Sequence, residues 1–151
     1  MVNILFVCTG DTCRSTMASA IMKEKIRARN LKDIECSSAG LFVGQETSMN
    51  ECAKKAVRRM NVRVPRHKAT QLTEQIIAKY DYVLTMTDEQ KQTILNRFPY
   101  FKNVFSVKDF VGAENIADPY GKGEAEYFKV AKYLEVVVTK VLERVKRERR
   151  M

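Results

Sequence analysis

The sequence predicts an α/β fold, a three-layer sandwich whose four-stranded parallel sheet is flanked by helices. The alternation of its segments predicts this fold. Four short segments of strand character alternate with longer segments whose apolar residues recur at helical spacing. Strands that alternate with helices in this way form βαβ units, and their parallel sheet is covered on both faces. No repeat or low-complexity linker interrupts the 151 residues, so we expect a single domain over 1–151.

The first half of the chain contains two predicted strands and two predicted helices. The run at 2–7 is apolar at nearly every position, which is typical of a buried strand. Apolar residues at helical spacing predict a helix at 15–29. A second strand at 33–40 ends in a turn at Gly40, and a basic amphipathic helix follows at 50–60.

The second half repeats the alternation and ends on a long helix. In order, the sequence predicts a helix at 70–80, a strand at 80–87, a helix at 88–98, a strand at 103–110 and a helix from 124 nearly to the end. Thr87 or Asp88 can cap the middle helix, and Pro99 stops it. Glycine and acidic residues are frequent in 112–124, which we therefore interpret as a loop.

Composition indicates the compartment and the partners of the protein. No apolar run is long enough to span a bilayer and no signal peptide is evident, so we expect a cytoplasmic protein with no membrane partner. Two of the four cysteines share one loop, which in a reducing compartment is typical of catalytic, redox or metal-binding thiols. The net charge is +9, and much of it lies in 140–151, which we interpret as a solvated helix end. No nucleic-acid motif accompanies this charge, so we expect no nucleic-acid partner.

The turn "VCTGDTCRS", residues 7–15, predicts an anion site with a nucleophile at its floor. It joins the first strand to the first helix, where free N–H groups and the helix dipole favour negative charge. Gly10 allows tight curvature and close approach to a ligand, and the planar Arg14 fork suits a tetrahedral oxyanion. The same field favours a Cys8 thiolate, which is a nucleophile for phosphoryl transfer. The alternative is a buried structural cysteine beside a helix-capping serine.

Asp118 is the predicted general acid. A leaving group that departs from phosphorus must take up a proton. Asp118 lies in a loop beside the stiffening Pro119 and the aromatic Tyr120, which we expect to form one wall of the substrate slot. An aspartate before proline is by itself often only a turn former, so the assignment depends on the thiolate loop.

Five segments together resemble the low-molecular-weight protein tyrosine phosphatase family over essentially the whole chain. They are "VCTGDTCRS" at 7–15, "SSAG" at 37–40, "HKATQLT" at 67–73, "DYVLTMT" at 81–87 and "DPYG" at 118–121. Their order and spacing fit the family, and the combination is much more specific than any one motif. The resemblance implies a four-stranded parallel sheet flanked by helices and a single phosphatase domain over 1–151.

The resemblance also implies a role for each site residue. Cys8 would form a phosphocysteine intermediate, and Arg14 would bind phosphate and the trigonal transition state. Ser15 would donate to the Cys8 thiolate, and Asp118 would protonate the leaving group and then deprotonate the attacking water. The other implied substrate-binding residues are Thr9, Gly10, Asp11, Thr12, Cys13 and Tyr120. No metal or other cofactor is implied, and the implied partners are a phosphorylated protein and an oxyanion such as phosphate in the loop.

Thr12 bears on the substrate. Family members that resemble tyrosine phosphatases often carry a bulkier aliphatic residue there, whereas a bacterial branch that acts on phosphoarginine in proteins carries threonine. The smaller, hydroxylated Thr12 can seat a flat guanidinium, and Asp118 can pair with that cation. The resemblance therefore favours a protein arginine phosphatase, with a protein tyrosine phosphatase as the alternative.

Two positions depart from the family pattern. The usual asparagine at position 11 is Asp11, whose charge is expected to weaken phosphate binding, and the usual proline at position 16 is Thr16. His67 belongs to a segment that approaches the phosphate loop in the family. We therefore expect a charge-assisted contact between the Asp11 carboxylate and the His67 imidazole.

The loop is also compatible with two alternative functions and with one regulatory role. An arsenate reductase needs additional cysteines near 80–90, and the sequence has none there. A non-catalytic phosphate-binding module would not require the intact nucleophile and acid. Cys8 and Cys13 share one curled loop, so we also expect a reversible disulfide between them under oxidation.

Overall fold

The computed structural model describes residues 1–151 and confirms the predicted alternation of strands and helices. The strands are β1 (Val2–Cys8), β2 (Ile34–Gly40), β3 (Tyr82–Thr85) and β4 (Val104–Ser106). The helices are α1 (Arg14–Ala28), α2 (Glu51–Arg59), α3 (Glu74–Lys79), α4 (Asp88–Arg97), α5 (Val107–Val111) and α6 (Glu124–Glu148). None of the helices combines the length and apolar character that a membrane crossing requires.

The four strands form one parallel sheet in the order β2-β1-β3-β4. Cys8, the last residue of β1, lies opposite Gly40 of β2, and its neighbour Val7 lies opposite Thr85 of β3. From β1 the chain continues to β2 on one side, and it then crosses back to add β3 and β4 on the other side. Ligands of open α/β sheets bind at such a switch point, beyond the carboxyl ends of the strands. The predicted anion loop occupies this position.

Helices cover both faces of the sheet. Alternate residues of β1 point to opposite faces, so Ile4 and Phe6 join the larger apolar core while Leu5 and Val7 join the smaller one. The larger core packs the sheet against α1, α2, α5 and α6, and the smaller core packs it against α3 and α4. The three-layer architecture predicted from the sequence is thereby confirmed.

Several predicted elements are longer than the observed ones. The helix predicted at 70–80 is confined to α3 and the strand predicted at 80–87 to β3. The segment 103–110 was expected to be a strand throughout, but β4 ends at Ser106 and α5 begins at the next residue. The Ser106 hydroxyl accepts a hydrogen bond from the N–H of Asp109 at 3.1 Å and caps α5. Gly112 closes the helix in the left-handed conformation, with φ 72°. These local caps override the β-branched residues that favoured a strand.

Candidate active site

Two carbonyl groups of the loop between β1 and α1 accept hydrogen bonds from the surrounding protein. The carbonyl of Thr9 accepts a hydrogen bond from the N–H of Phe42 at 2.8 Å. That of Thr12 accepts from the N–H of Asn50 at 2.9 Å. These bonds hold the loop from two segments that follow β2, so its curvature does not depend on a bound ligand.

The N–H groups of the same loop are left available. From residue 9 to residue 16, no N–H donates to a backbone carbonyl of the protein. Cys13, the residue before α1, contributes no side-chain cap to the first helical turn. A row of free N–H groups at the start of a 15-residue helix is an anion-binding arrangement. This arrangement suits the oxyanion that the sequence predicts for the loop, and its binding stays a prediction.

Two backbone features shape this loop, and they differ from the expectation for Gly10. The left-handed conformation belongs to Asp11, with φ 57°, and not to Gly10. A Cβ on Gly10 would meet nothing nearer than Thr12 Oγ1 at 3.9 Å. A Cβ on Gly40 would lie 2.9 Å from the Thr9 carbonyl oxygen and 2.9 Å from the carbonyl carbon of Gly10. The glycine that the loop requires sterically is therefore Gly40, in the "SSAG" segment.

The nucleophile candidate Cys8 is buried at the end of β1. Its Sγ lies 2.9 Å from Ser15 Oγ, in the first turn of α1. Ser15 Oγ also donates a hydrogen bond to Asp11 Oδ1 at 2.7 Å. The other carboxylate oxygen of Asp11 accepts from the N–H of Thr70 at 3.0 Å. Hydrogen bonds thus link the buried residues Cys8, Ser15 and Asp11 to the exposed Thr70.

Arg14 is fixed by the loop that carries the acid candidate. Its Nη1 donates to the carbonyl of Ile116 at 2.9 Å, and its Nη2 lies 3.8 Å from Asp118 Oδ2. The Arg14 side chain is buried, whereas 54% of the Asp118 side chain is exposed. Asp118 Oδ1 accepts from the N–H of Tyr120 at 3.1 Å. The Asp118 carboxyl group therefore reaches solvent while it remains beside the buried Arg14 cation.

His67 approaches Asp11 as expected, but through a different atom. Its Nε2 lies 2.6 Å from the backbone carbonyl oxygen of Asp11 and 3.8 Å from Asp11 Oδ2. The expected carboxylate–imidazole pair is therefore secondary to a bond with the main chain. Because a carbonyl only accepts, Nε2 carries the hydrogen, as assigned from this network. His67 thus braces the left-handed turn at Asp11.

The remaining predicted residues lie around the loop in different environments. Thr12 is half-buried, and Tyr120 is 73% exposed, so the aromatic ring is free to face a substrate. Cys13 is buried, and its Sγ lies 3.4 Å from Tyr127 Oη on α6. Burial raises the pKa of the Cys13 thiol, which the hydrogen bond with Tyr127 opposes.

Gln90 is a site residue that sequence reasoning missed. Its Oε1 accepts from the N–H groups of Met86 and Thr87, at 3.0 and 3.1 Å, which fixes the orientation of the amide. Its Nε2 therefore donates to Thr9 Oγ1 at 3.2 Å and holds that side chain at the rim of the loop. The available signal was the capping box formed by Thr87 and the glutamine three residues later.

Comparison with known proteins agrees with this geometry. The chain is 36% identical, over 96% of its own length and 97% of the relative, to a protein-arginine-phosphatase of Geobacillus stearothermophilus. A solved low molecular weight protein tyrosine phosphatase of T. tengcongensis superposes with TM-score 0.88 and 34% identity, covering 95% of this chain and 99% of that chain. A YwlE arginine phosphatase mutant with a phosphorylated active-site serine superposes with TM-score 0.91 and 31% identity over 99% of both chains.

A family model confirms the resemblance seen in the sequence. The model described as low molecular weight phosphotyrosine protein phosphatase matches residues 3–151. That range includes the loop at 8–15, the residues Phe42 and Asn50 that bind its carbonyl groups, and the Asp118 loop. The chain therefore belongs to the low molecular weight phosphotyrosine protein phosphatase family.

Proposed function

We propose that this protein hydrolyses phosphoarginine in phosphorylated proteins through a phosphocysteine intermediate. The observation that carries the proposal is the loop at 8–15, where free N–H groups surround a buried cysteine at a strand end. Arg14 adds a buried cation, and Asp118 adds an exposed carboxyl group 3.8 Å away from it. The remaining substrate contacts fall on Thr9, Gly10, Asp11, Thr12, Cys13, Ser15 and Tyr120.

In the first step the phosphoryl group passes to the enzyme. Cys8 Sγ attacks phosphorus as a thiolate, while the loop N–H groups and Arg14 stabilise the negative charge on the phosphoryl oxygens. The bond from phosphorus to the guanidino nitrogen breaks, and Asp118 gives its proton to that nitrogen. Neutralising the leaving group in this way releases an unmodified arginine side chain. The enzyme retains a phosphocysteine and an ionised Asp118.

In the second step water restores the enzyme. The Asp118 carboxylate takes a proton from the water molecule as its oxygen attacks phosphorus. The sulfur–phosphorus bond breaks, and the Cys8 thiolate departs with the bonding electrons. Inorganic phosphate is released, and Asp118 is again a carboxylic acid. No step calls on a metal or other cofactor.

Thr12 supports phosphoarginine as the substrate. The half-buried Thr12 lies in the loop, with its carbonyl held by Asn50. A short, hydroxylated side chain leaves room for a planar guanidinium and offers it a hydrogen-bond acceptor. The name of the 36% identical relative, protein-arginine-phosphatase, points the same way. The second candidate function, hydrolysis of phosphotyrosine in proteins, is favoured by the family description and by the T. tengcongensis structure.

A paired substrate comparison tests the proposal. We expect the wild-type kcat/KM to be higher on a phosphoarginine peptide than on a phosphotyrosine peptide of otherwise identical sequence. Thr12→Ile adds bulk beside the leaving group and is expected to lower the phosphoarginine value roughly tenfold more than the phosphotyrosine value. Cys8→Ser serves as the inactive control on both peptides.

Three outcomes would overturn parts of this proposal. A wild-type preference for the phosphotyrosine peptide would replace the first function with the second. Equal losses on both peptides in Thr12→Ile would remove the specificity role of Thr12. Activity that survives in Cys8→Ser would reject the phosphocysteine mechanism for either substrate.

We also propose a single phosphatase domain over 1–151 that works in the cytoplasm. One apolar core of 33 residues joins β1 to the final helix α6, which supports a single folding unit. All four cysteines are free thiols, which supports a reducing compartment. Limited proteolysis that released a stable shorter fragment would contradict the single domain.

A further inference from the structure

The Ser15 hydroxyl stands between two partners that compete for its hydrogen. Its Oγ lies 2.7 Å from Asp11 Oδ1 and 2.9 Å from Cys8 Sγ. A hydroxyl has one hydrogen to donate, and an ionised carboxylate can only accept. When Ser15 donates to Asp11, the contact with Cys8 can form only if the sulfur carries a hydrogen and donates it to Ser15 Oγ.

We propose that Asp11 is a positioning residue that withholds the Ser15 hydroxyl from the Cys8 thiolate. A thiolate has no hydrogen to donate, so with Asp11 ionised it faces only the lone pairs of the Ser15 oxygen. The same applies when Cys8 leaves phosphorus as a thiolate in the second step. The proposal rests on the proposed function in one respect, namely that Cys8 is the nucleophile.

The surrounding contacts prevent Asp11 from turning away. Its side chain is fully buried, and its backbone is held in the left-handed conformation with φ 57°. Thr70 N–H fixes Oδ2 at 3.0 Å, and His67 fixes the backbone carbonyl at 2.6 Å. Only Oδ1 remains, and it is directed at Ser15. The competition for the hydroxyl is therefore a fixed property of the folded loop.

An amide at position 11 would reverse the arrangement without changing its shape. In Asp11→Asn the amide oxygen can still accept from Thr70 N–H, while the amide nitrogen donates to Ser15 Oγ. The Ser15 hydrogen is then free for the Cys8 thiolate. Asparagine also tolerates the left-handed backbone, so the loop conformation is retained.

Removing the Asp11 charge has a second effect, which the experiment must separate. A carboxylate near Cys8 disfavours the thiolate through space whatever Ser15 does. This effect is independent of the Ser15 hydroxyl, whereas the proposed diversion depends on it entirely. A double-mutant cycle between positions 11 and 15 distinguishes the two, because only the diversion couples the residues.

The test measures the rate at which iodoacetamide alkylates Cys8 at pH 7, with the modified residue located by mass spectrometry. We expect Asp11→Asn to accelerate alkylation roughly tenfold, since a hydrogen bond to a charged group then stabilises the thiolate. Ser15→Ala should slow the Asp11→Asn protein by a larger factor than it slows the wild type. Asp118→Asn removes a nearby exposed carboxylate without touching Ser15 and serves as the control for charge alone.

If Ser15→Ala slows alkylation by the same factor in the wild type and in Asp11→Asn, only the charge of Asp11 acts on Cys8. An unchanged alkylation rate in Asp11→Asn would reject the positioning role of Asp11. Should Asp11→Asn fail to fold, Ser15→Ala in the wild-type background supplies a second reading. Because Asp11 already withholds the Ser15 hydroxyl, this variant should alkylate at nearly the wild-type rate, and a slowing of roughly tenfold would overturn the proposal. Neither measurement uses a phosphorylated substrate, so the proposed function can fail independently.

Discussion

Cys13 is buried, its thiol contacts Tyr127, and it belongs to the same loop as the candidate nucleophile Cys8. Burial raises its pKa from 9.0, so at neutral pH it remains a thiol. Peroxide is therefore expected to oxidise Cys8 first, to a sulfenic acid. Condensation of that group with the Cys13 thiol would release water and leave a disulfide.

This chemistry predicts a protective role for Cys13. After peroxide treatment and then dithiothreitol, wild type should recover most of its activity, whereas Cys13→Ser should recover little because Cys8 proceeds to the irreversible sulfinic acid. Activity assays and intact-mass measurements follow the two fates. Cys36→Ser removes a buried cysteine outside the loop and should behave as wild type. Equal recovery in Cys13→Ser and wild type would exclude Cys13 as the resolving thiol.

At the scale of single residues, the sequence predicted which side chains gather but not which atoms meet. Cys8, Arg14 and Asp118 lie around one loop as the motif implied. The His67 contact instead uses the carbonyl of Asp11, because the left-handed turn directs that group outward. Hydrogen-bond direction depends on backbone dihedrals that residue types alone do not specify.

At the scale of elements, the end of β2 determines how closely the phosphate loop can approach the sheet. Gly40 pairs with Cys8, and its backbone also binds the segment that follows His67, through Thr70 and Leu72. The loop backbone passes within 2.9 Å of the place where a Cβ on Gly40 would lie. Strand and loop are therefore in direct backbone contact.

Gly40→Ala should displace the loop. Overpacking of this kind costs about 1–3 kcal/mol of unfolding free energy. Because the loop itself must move, we also expect weaker phosphate binding and lower activity. Gly10→Ala is the matched comparison, since a Cβ there has room in the folded protein, and its unfolding free energy should stay near that of wild type. Urea unfolding and phosphate-inhibition constants measure the two effects. Equal stability of both variants would contradict the steric argument.

The type and order of the elements could be predicted because their periodicity is strong. The boundary between β4 and α5 could not, since Val107 and Phe110 suit either structure. The deciding signals were short, namely a serine three residues before Asp109 and the glycine at 112. Such caps compete with β-propensity on nearly equal terms.

At the scale of the whole molecule, the end of α6 is joined to the start of β3. Glu148 accepts hydrogen bonds from Tyr82 Oη at 2.7 Å and from Arg144 Nε at 3.0 Å. Arg149 lies 3.4 Å from Asp81 Oδ1 and stacks over the Tyr82 ring. The hydrogen bond from Tyr82 holds the pKa of the Glu148 carboxyl below its usual value of 4.5.

This lowered pKa predicts how stability depends on pH. A carboxyl group whose pKa is lower in the folded state contributes stability above its unfolded pKa and loses it as the pH falls through the folded value. Glu148→Gln should therefore be less stable than wild type at pH 7, and the difference should shrink below pH 4.5. Urea unfolding across that range measures it, with Glu135→Gln on the same helix as the control. A difference that does not change with pH would contradict the assignment.

The bond between Arg14 and the carbonyl of Ile116 spans 102 residues of chain. During translation at roughly 5–20 residues per second, the ribosome needs roughly 5–20 s to add the second partner after the first. Throughout that interval the nascent chain contains Cys8 and Arg14, but it lacks the Ile116 carbonyl that orients Arg14 and the candidate acid Asp118. Under the proposed mechanism, chains that end before Ile116 and Asp118 are therefore expected to lack phosphatase activity, so the order of synthesis would delay activity until the chain is nearly complete.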